Sequence, residues 1–362
     1  MEDFKNYKKI LNLKGTLVDT KDIEDFLLHN SLLMERINRL PQIIDLKKDY
    51  KEFSVENILN SEKKLVLVKK DSSLEMIDVK ITLHYEYFTY KEILREILPS
   101  EVEIPQSYQT VGTILHVNLD SNQFIYKNII GEVLLNKNKY IKTVITKIGV
   151  IDTVFRYFDI EVLAGVKCLH TYHQESGCTF FIDYEKVYWN SKLQDERNRL
   201  LKQFKKNDII CDPFCGVGPV VIRAAKLGCK VYCNDLNPVA IDCLKKNIRL
   251  NKVCERKIEA YNMDAKNFLL LLADKEIGID HFFFNLPELS LEFVKYLKNY
   301  GSSFLHCYFF CKKNVDVNEF IQSYFKADMN KCTLDVCRNV SPNKFMYVLR
   351  GKIKHLNIKE NN

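Results

Sequence analysis

Glycine and proline are scarce in this chain of 362 residues, at 12 and 8, which excludes collagen-like and long low-complexity segments. No apolar run approaches the roughly 20 residues needed to span a bilayer, so no membrane segment is expected and the chain reads as soluble. The opening MEDFKNYKKILNLKG mixes acids with lysines and has no clean apolar stretch, so no secretory signal is expected. Cysteine is absent before Cys168, and no CxxC pair occurs among the 12 cysteines from there onward. Several lie in strand-like runs such as IICDPFC and VYCND, where reduced thiols act as small hydrophobes. The pairs Cys211/Cys215, Cys229/Cys233 and Cys307/Cys311 have only His306 as a nearby companion, so no metal site is expected. Strong charge of one sign is also missing. The balance of 54 Lys+Arg against 47 Asp+Glu gives +7, compatible with an anionic partner but too mild to require one. The basic residues are uneven, however: residues 125–150 hold Lys127, Lys137, Lys139, Lys142 and Lys147 against the single acid Glu132. That local field suits phosphates, or else is a solvated strand-and-turn surface.

With no internal repeat, boundaries come from changes of pattern. Residues 1–100 read as a small α+β domain. An amphipathic helix is predicted over IEDFLLHNSLLMERINRL and strands over KKLVLVKK and VKITLHYEYF, with Pro99 and Pro105 marking a linker. Residues 101–187 read as mostly β, with β-branched runs such as KTVITKIGVI and alternation in TFFIDYEKVYW. From 188 to 362 strand-like runs alternate with helical ones, which predicts an α/β, doubly wound parallel sheet with ligands at the carboxyl ends of its strands.

The most informative stretch is DIICDPFCGVGPVVIRAAKLGCKVYCNDLNP. A strand ends at Asp212, a tight turn carries Phe214, Gly216 and Gly218, and a helix opens at Pro219, where a missing N–H costs nothing. The next strand ends at Asp235, followed by Leu236 and Asn237, and an acid there can accept hydrogen bonds from ribose hydroxyls. A dinucleotide turn has a third glycine where this chain has Val221, and it faces a pyrophosphate. An acid beside the turn, at Asp212, repels pyrophosphate and suits a cationic ligand. S-adenosylmethionine, with its ammonium and sulfonium, is therefore favoured over NAD as cofactor, with S-adenosylhomocysteine as product. Asp264, followed by Ala265 in YNMDA, and Asn285 in HFFFNLP are further polar strand ends that fit one pocket, although an acid there also serves as a helix cap.

These residues, together with VEIPQSYQTVGTILHVNL, IKTVITKIG, FRYFDIEVLAG, FIDYEKVYWNSKLQDER, NLPELSLEF and CRNVSPNKFMY in the same order, resemble the archaeal and eukaryotic tRNA (guanine(37)-N1)-methyltransferases. The resemblance covers roughly residues 101–350. It implies a class I, Rossmann-like methyltransferase preceded by smaller α+β RNA-binding domains, acting on guanosine 37 of tRNA, 3′ to the anticodon. It also implies a monomer, located in the cytoplasm, with the nucleus and mitochondrion as further possible sites. By the same resemblance Glu196 is the general base, Arg156 faces guanine O6, Tyr188 supports the flipped base, and Asn285 holds it in a loop shaped by Pro287. The cofactor contacts fall on Asp212, Phe214, Gly216, Gly218, Asp235, Leu236, Asn237, Asp264, Ala265 and Asn285. The sequence departs from many members at Lys192, Arg197 and Glu288.

Guanine N1 carries a proton and must lose it to become a nucleophile, and the resulting charge spreads onto O6. A carboxylate within reach of N1 and an arginine at O6 answer those two needs. Two enzymatic rivals use the same cofactor: the aminocarboxypropyl transferase of wybutosine synthesis and a methyltransferase of exocyclic amino groups. A tRNA-binding protein without catalysis would show damage at Asp212, Asp235, Glu196 or Arg156, and all four are present.

Overall fold

The computed structural model describes residues 4–56, 58, 62–149 and 159–358. By its internal contacts the chain divides into two compact units, residues 1–108, 117–140 and 163–165 in one and 109–116, 141–162 and 166–362 in the other.

In the first unit an antiparallel sheet has the strand order Ile43–Asp45, Lys63–Val68, Lys9–Asp19, Ile77–Leu83, Phe53–Glu56. Leu65, Val66, Leu67, Val79 and Ile81 fill its core. The helix predicted over IEDFLLHNSLLMERINRL is real only at Ile23–Asn30 and passes into a 3-10 turn at Ser31–Leu33. Beyond it the backbone is drawn to the sheet instead: Met34 bridges Val68, Glu35 N–H donates to the Leu67 carbonyl, and Lys69 N–H donates to that of Leu33. Tertiary pairing thus overrides helix propensity there. Helix Tyr90–Ile97 starts at a capping box in which Thr89 and Glu92 each satisfy the other's backbone.

The stretch expected to be mostly β contains the helix Lys127–Lys137. Strands Ile114–Val117 and Thr143–Ile148 pair in parallel, and a parallel pair needs a long crossover between its members. The five lysines therefore do not form one strand-and-turn surface. Lys127, Lys137 and Lys139 belong to the first unit and Lys142 and Lys147 to the second. Lys137 is engaged, its ammonium donating to the Tyr85 carbonyl and lying 3.5 Å from that ring's centroid, and burial lowers its pKa to about 8. Lys139 and Lys142 are exposed.

The second unit is dominated by a seven-stranded sheet in the order Ile258–Tyr261, Lys230–Asn234, Ile209–Asp212, His281–Phe284, Phe304–Lys312, Lys344–Lys352, Thr333–Ser341. The first five are parallel, as the alternation of strand and helix predicts. The last two form an antiparallel hairpin whose second arm is inserted beside Phe304–Lys312. Helices Val221–Lys226 and Pro238–Leu250 bury Val221, Ile222, Ala240 and Leu244 against one face, while Phe268, Leu269 and Leu272 of helix Ala265–Asp274 fill the other. Chain order reverses between Ile209–Asp212 and His281–Phe284, the neighbouring strands that are followed by Asp212's glycine turn and by Asn285. Open α/β sheets bind their ligands at such a switch point.

Candidate active site

The turn after Ile209–Asp212 is shaped by two glycines with different tasks. Gly218 has φ +86, and a Cβ on it would fall 2.3 Å from Leu244 Cδ1, so the residue lets helix and turn pack. Gly216 has φ +54 and nothing within 4 Å of where a Cβ would stand, which leaves open space beside the backbone. The Asp212 carboxylate, 1% exposed, accepts a hydrogen bond from Phe214 N–H at 3.1 Å. Burial pushes its carboxyl well up, and neighbouring Asp235 adds to this. Burial also raises Asp235, partly offset by hydrogen bonds from the N–H groups of Asn237 and Gly216 at 2.9 and 2.8 Å. One buried carboxylate and one half-buried carboxylate beside an open turn call for a positively charged partner. The ammonium and sulfonium of S-adenosylmethionine fit that requirement, and half-exposed Leu236 next to Asp235 offers an apolar surface to an adenine.

The remaining predicted cofactor residues carry much of the architecture. Asn237 is buried; its Oδ1 caps helix Pro238–Leu250 through Val239 N–H, and its Nδ2 donates to the Lys186 carbonyl at 2.6 Å. Asp264 is exposed and caps helix Ala265–Asp274 through Oδ1. Ala265 is buried as the first residue of that helix. The Phe214 ring packs edge-on against Phe284 and Phe293. The residue that ties these loops together is Asn234, fully buried at the end of its strand. Its Nδ2 donates to the carbonyls of Pro213 and Met263, and its Oδ1 accepts from Met263 N–H. Its position beside Asp235 hid it, since an asparagine next to an acid at a strand end reads as one more turn residue.

Asn285 is half-buried directly after strand His281–Phe284. Its loop is fixed by Ser290, whose hydroxyl accepts from Leu286 N–H at 3.0 Å and donates to the Phe284 carbonyl at 3.2 Å, while the Pro287 carbonyl accepts from Phe310 N–H at 2.9 Å. Glu288 is exposed. The pairing of Phe284 with Cys307 brings Asn285, one residue on, level with Tyr308 in the adjacent strand.

Glu196 sits on helix Gln194–Leu201, which buries Glu196 and Arg197 among its charged residues. The charged run QDERNR is therefore only partly a solvated face. Glu196 Oε1 accepts from the Tyr308 hydroxyl at 2.8 Å and from Arg350 Nη2 at 2.6 Å. Its Oε2 lies 3.1 Å from Arg199 Nη1 without hydrogen-bond alignment. Arg197 points elsewhere, making a two-pronged pair with Glu175 through Nε at 2.8 Å and through Nη2, and stacking over Trp189 at 5.2 Å. Arg197 also donates to the Asn190 carbonyl, and so anchors the segment that carries Tyr188. In VYW the flanking Val187 and Trp189 are buried while Tyr188 is 46% exposed, its hydroxyl accepting from Asn190 Nδ2 at 3.1 Å. Arg156 lies outside the described residues. Asp212, Asp235 and Asn285 thus share the carboxyl ends of three adjoining strands, and Glu196 joins them through Tyr308.

Residues 171–337 match the family model described as the TRM5/TYW2 methyltransferase domain, and residues 90–168 match one described as the TYW2 N-terminal domain. The chain is similar to the crystal structure of Trm5b from Pyrococcus abyssi, with a TM-score of 0.69 at 22% identity, covering 95% of this chain and 99% of that one. A structure described as the complex of aTrm5 and tRNALeu has a TM-score of 0.68 at 25% identity over 94% of this chain and 99% of that one. A relative from Encephalitozoon cuniculi, named tRNA (guanine(37)-N(1))-methyltransferase, is 45% identical over 353 residues, 96% of this chain and 97% of its own length. With that identity over nearly the whole of both sequences, the chain belongs to the tRNA (guanine(37)-N(1))-methyltransferase family.

Proposed function

We propose that the protein methylates N1 of guanosine 37 in tRNA, with Glu196 as general base and Asn285 holding the guanine edge. The observation that carries this reading is the placement of Glu196: a carboxylate drawn out of water and aligned by Tyr308, which stands level with Asn285 across the strand pair. The Asp212–Gly218 turn would hold S-adenosylmethionine, which when bound would supply the methyl group and be left as a neutral thioether. Glu196 takes the N1 proton at Oε2, the oxygen that neither Tyr308 nor Arg350 engages. The amide of Asn285 both donates and accepts, so it grips the base without competing for the proton. Exposed Tyr188 stacks on the extruded base, and Arg156 meets the charge that develops on O6. Asp212 faces the cationic end of the cofactor, and Asp235 the ribose. Exposed Lys139 and the neighbouring Tyr140, 89% exposed, suit the phosphates and bases of a folded RNA.

The test is incubation with labelled S-adenosylmethionine and two unmodified tRNA transcripts, one with guanine and one with adenine at position 37, followed by nucleoside analysis. Labelled N1-methylguanosine from the guanine transcript alone is the expected product. An aminocarboxypropyl or N2-methyl product, or label in the adenine transcript, overturns the reading.

A further inference from the structure

We infer that Arg350 and Tyr308 are positioning residues that hold one oxygen of Glu196 so that the other is presented to the proton of N1; this rests on Glu196 being the base. The geometry is specific. Two donors from two different strands converge on Oε1, at 2.6 Å from Arg350 Nη2 and 2.8 Å from the Tyr308 hydroxyl. A carboxylate oxygen bound twice has little basic capacity left, whereas Oε2 makes no hydrogen bond among the described residues and is approached only by Arg199. Arg199 is 58% exposed and is the movable member of the group; its withdrawal when a base enters opens Oε2. Both positioning residues are themselves anchored. Arg350 donates from Nη1 to Asp335 Oδ2 at 2.5 Å, and Tyr308 is 1% exposed with its ring edge-on to Phe283.

The groups facing Glu196 come from four elements: Arg199 on its own helix, Tyr308 on Phe304–Lys312, Arg350 on Lys344–Lys352, and Cys337 on Thr333–Ser341, the strand that also carries Asp335. Cys337 stays a neutral thiol, since burial and then Glu196 push its pKa up to about 12. Tyr308 stays a donor, because burial and Glu196 raise its phenol well above the usual range. His306, opposite Arg350 in the strand pairing, is held neutral by burial, with the nearby His281 and Arg350 adding to the effect. Arg350 and Tyr308 both favour the ionised carboxylate. Removing either takes one of the two donors from Oε1 and leaves the carboxylate freer to turn.

The experiment uses the full chain and measures single-turnover methylation of a guanine-37 transcript against pH, with thermal unfolding and S-adenosylhomocysteine binding measured alongside. Tyr308→Phe keeps the ring and is expected to lower the rate about tenfold, and Arg350→Met about 100-fold, the order expected for lost hydrogen bonds to a charged group. In both, the acid limb of the rate profile moves to higher pH, while cofactor affinity is unchanged. Arg350→Lys restores the position of that limb in part, because it returns a cation without the planar fork. Asp335→Asn, at a side chain 56% exposed, gives a smaller shift in the same direction. If the variants lose activity uniformly with pH, in step with folded fraction, the role is merely structural and the inference falls. If Glu196→Gln turns over normally, the reading of Glu196 as base falls. If that variant is inactive while the pH profiles of Tyr308→Phe and Arg350→Met match the wild type, only the positioning inference falls.

Discussion

The two glycines of the Asp212–Gly218 turn, the proposed cofactor site, stand two residues apart, and substituting each with alanine is expected to do opposite things. At Gly218 an added Cβ meets Leu244 Cδ1 at 2.3 Å and Ile222 Cγ1 at 3.5 Å. Leu244 is fully buried on helix Pro238–Leu250 and has nowhere to retreat. The left-handed backbone costs a non-glycine residue ~1–2 kcal/mol and overpacking ~1–3 kcal/mol more, so Gly218→Ala loses about 2–5 kcal/mol. For a unit of this size that lowers Tm by about 4–20 °C. At Gly216 no atom lies within 4 Å of the added methyl, so only the backbone cost of ~1–2 kcal/mol applies. The methyl of Gly216→Ala instead occupies the space left for the ligand, and an overpacked contact there weakens binding by about 10–100-fold. Thermal unfolding of the free protein and calorimetric titration with S-adenosylhomocysteine read the two effects separately. If Gly216→Ala binds the product normally while Gly218→Ala keeps full stability but loses affinity, the assignment of the open side of the turn to the cofactor is refuted.

Asp212→Asn is expected to stabilise the free protein at neutral pH while costing more than tenfold in cofactor affinity. The folded-state carboxyl is raised above its ordinary value of 3.8 by burial, so its contribution is full at low pH and is lost as pH rises from near that value through the raised one. The variant's Tm should therefore fall less steeply with pH than the wild type's across that window; parallel Tm curves would contradict the argument. Glu196→Gln should lower turnover by about 10²–10⁴-fold with unchanged product affinity, as followed by single-turnover methylation and calorimetry. Arg197→Met leaves Glu175, whose side chain is 0% exposed, as a buried charge without its two-pronged partner, with Arg223 Nη1 3.8 Å from its Oε1. Removing one partner in this way costs ~3–5 kcal/mol, or about 6–20 °C in Tm. Adding Glu175→Leu should recover much of that loss, and failure to do so would show that the pair is not what holds the Tyr188 segment.

The fold was legible because its signals are local. Alternating strand and helix periods, the D-x-F-x-G-x-G turn and polar residues at strand ends need only neighbouring residues to be read, and the sheet order puts Asp212, Asp235 and Asn285 where those signals place them. The two-stranded antiparallel ending was not legible, since a strand's direction is set by its partner and not by its own composition. The partners of Glu196 were hidden for the same reason: Tyr308 and Arg350 lie 112 and 154 residues away in sequence. Arg350 did leave a trace, as a single charge inside FMYVLRG, a strand that is otherwise apolar there. Tyr308 left none, because HCYFF reads as plain core. The lysine-rich stretch misled because helix Lys127–Lys137 carries β-branched and aromatic neighbours, and connection length, not propensity, decides its state.

The arm carrying Arg350 lies between two strands that both precede it in the chain. During synthesis the glycine turn and the acids beside it emerge well before the hairpin at residues 333–352. A nascent chain can thus form the Asp212–Gly218 turn before Glu196, the proposed base, has been aligned by Arg350. Methylation is then an activity of the finished sheet, delayed until the ribosome has released a segment far from either end of the reaction path.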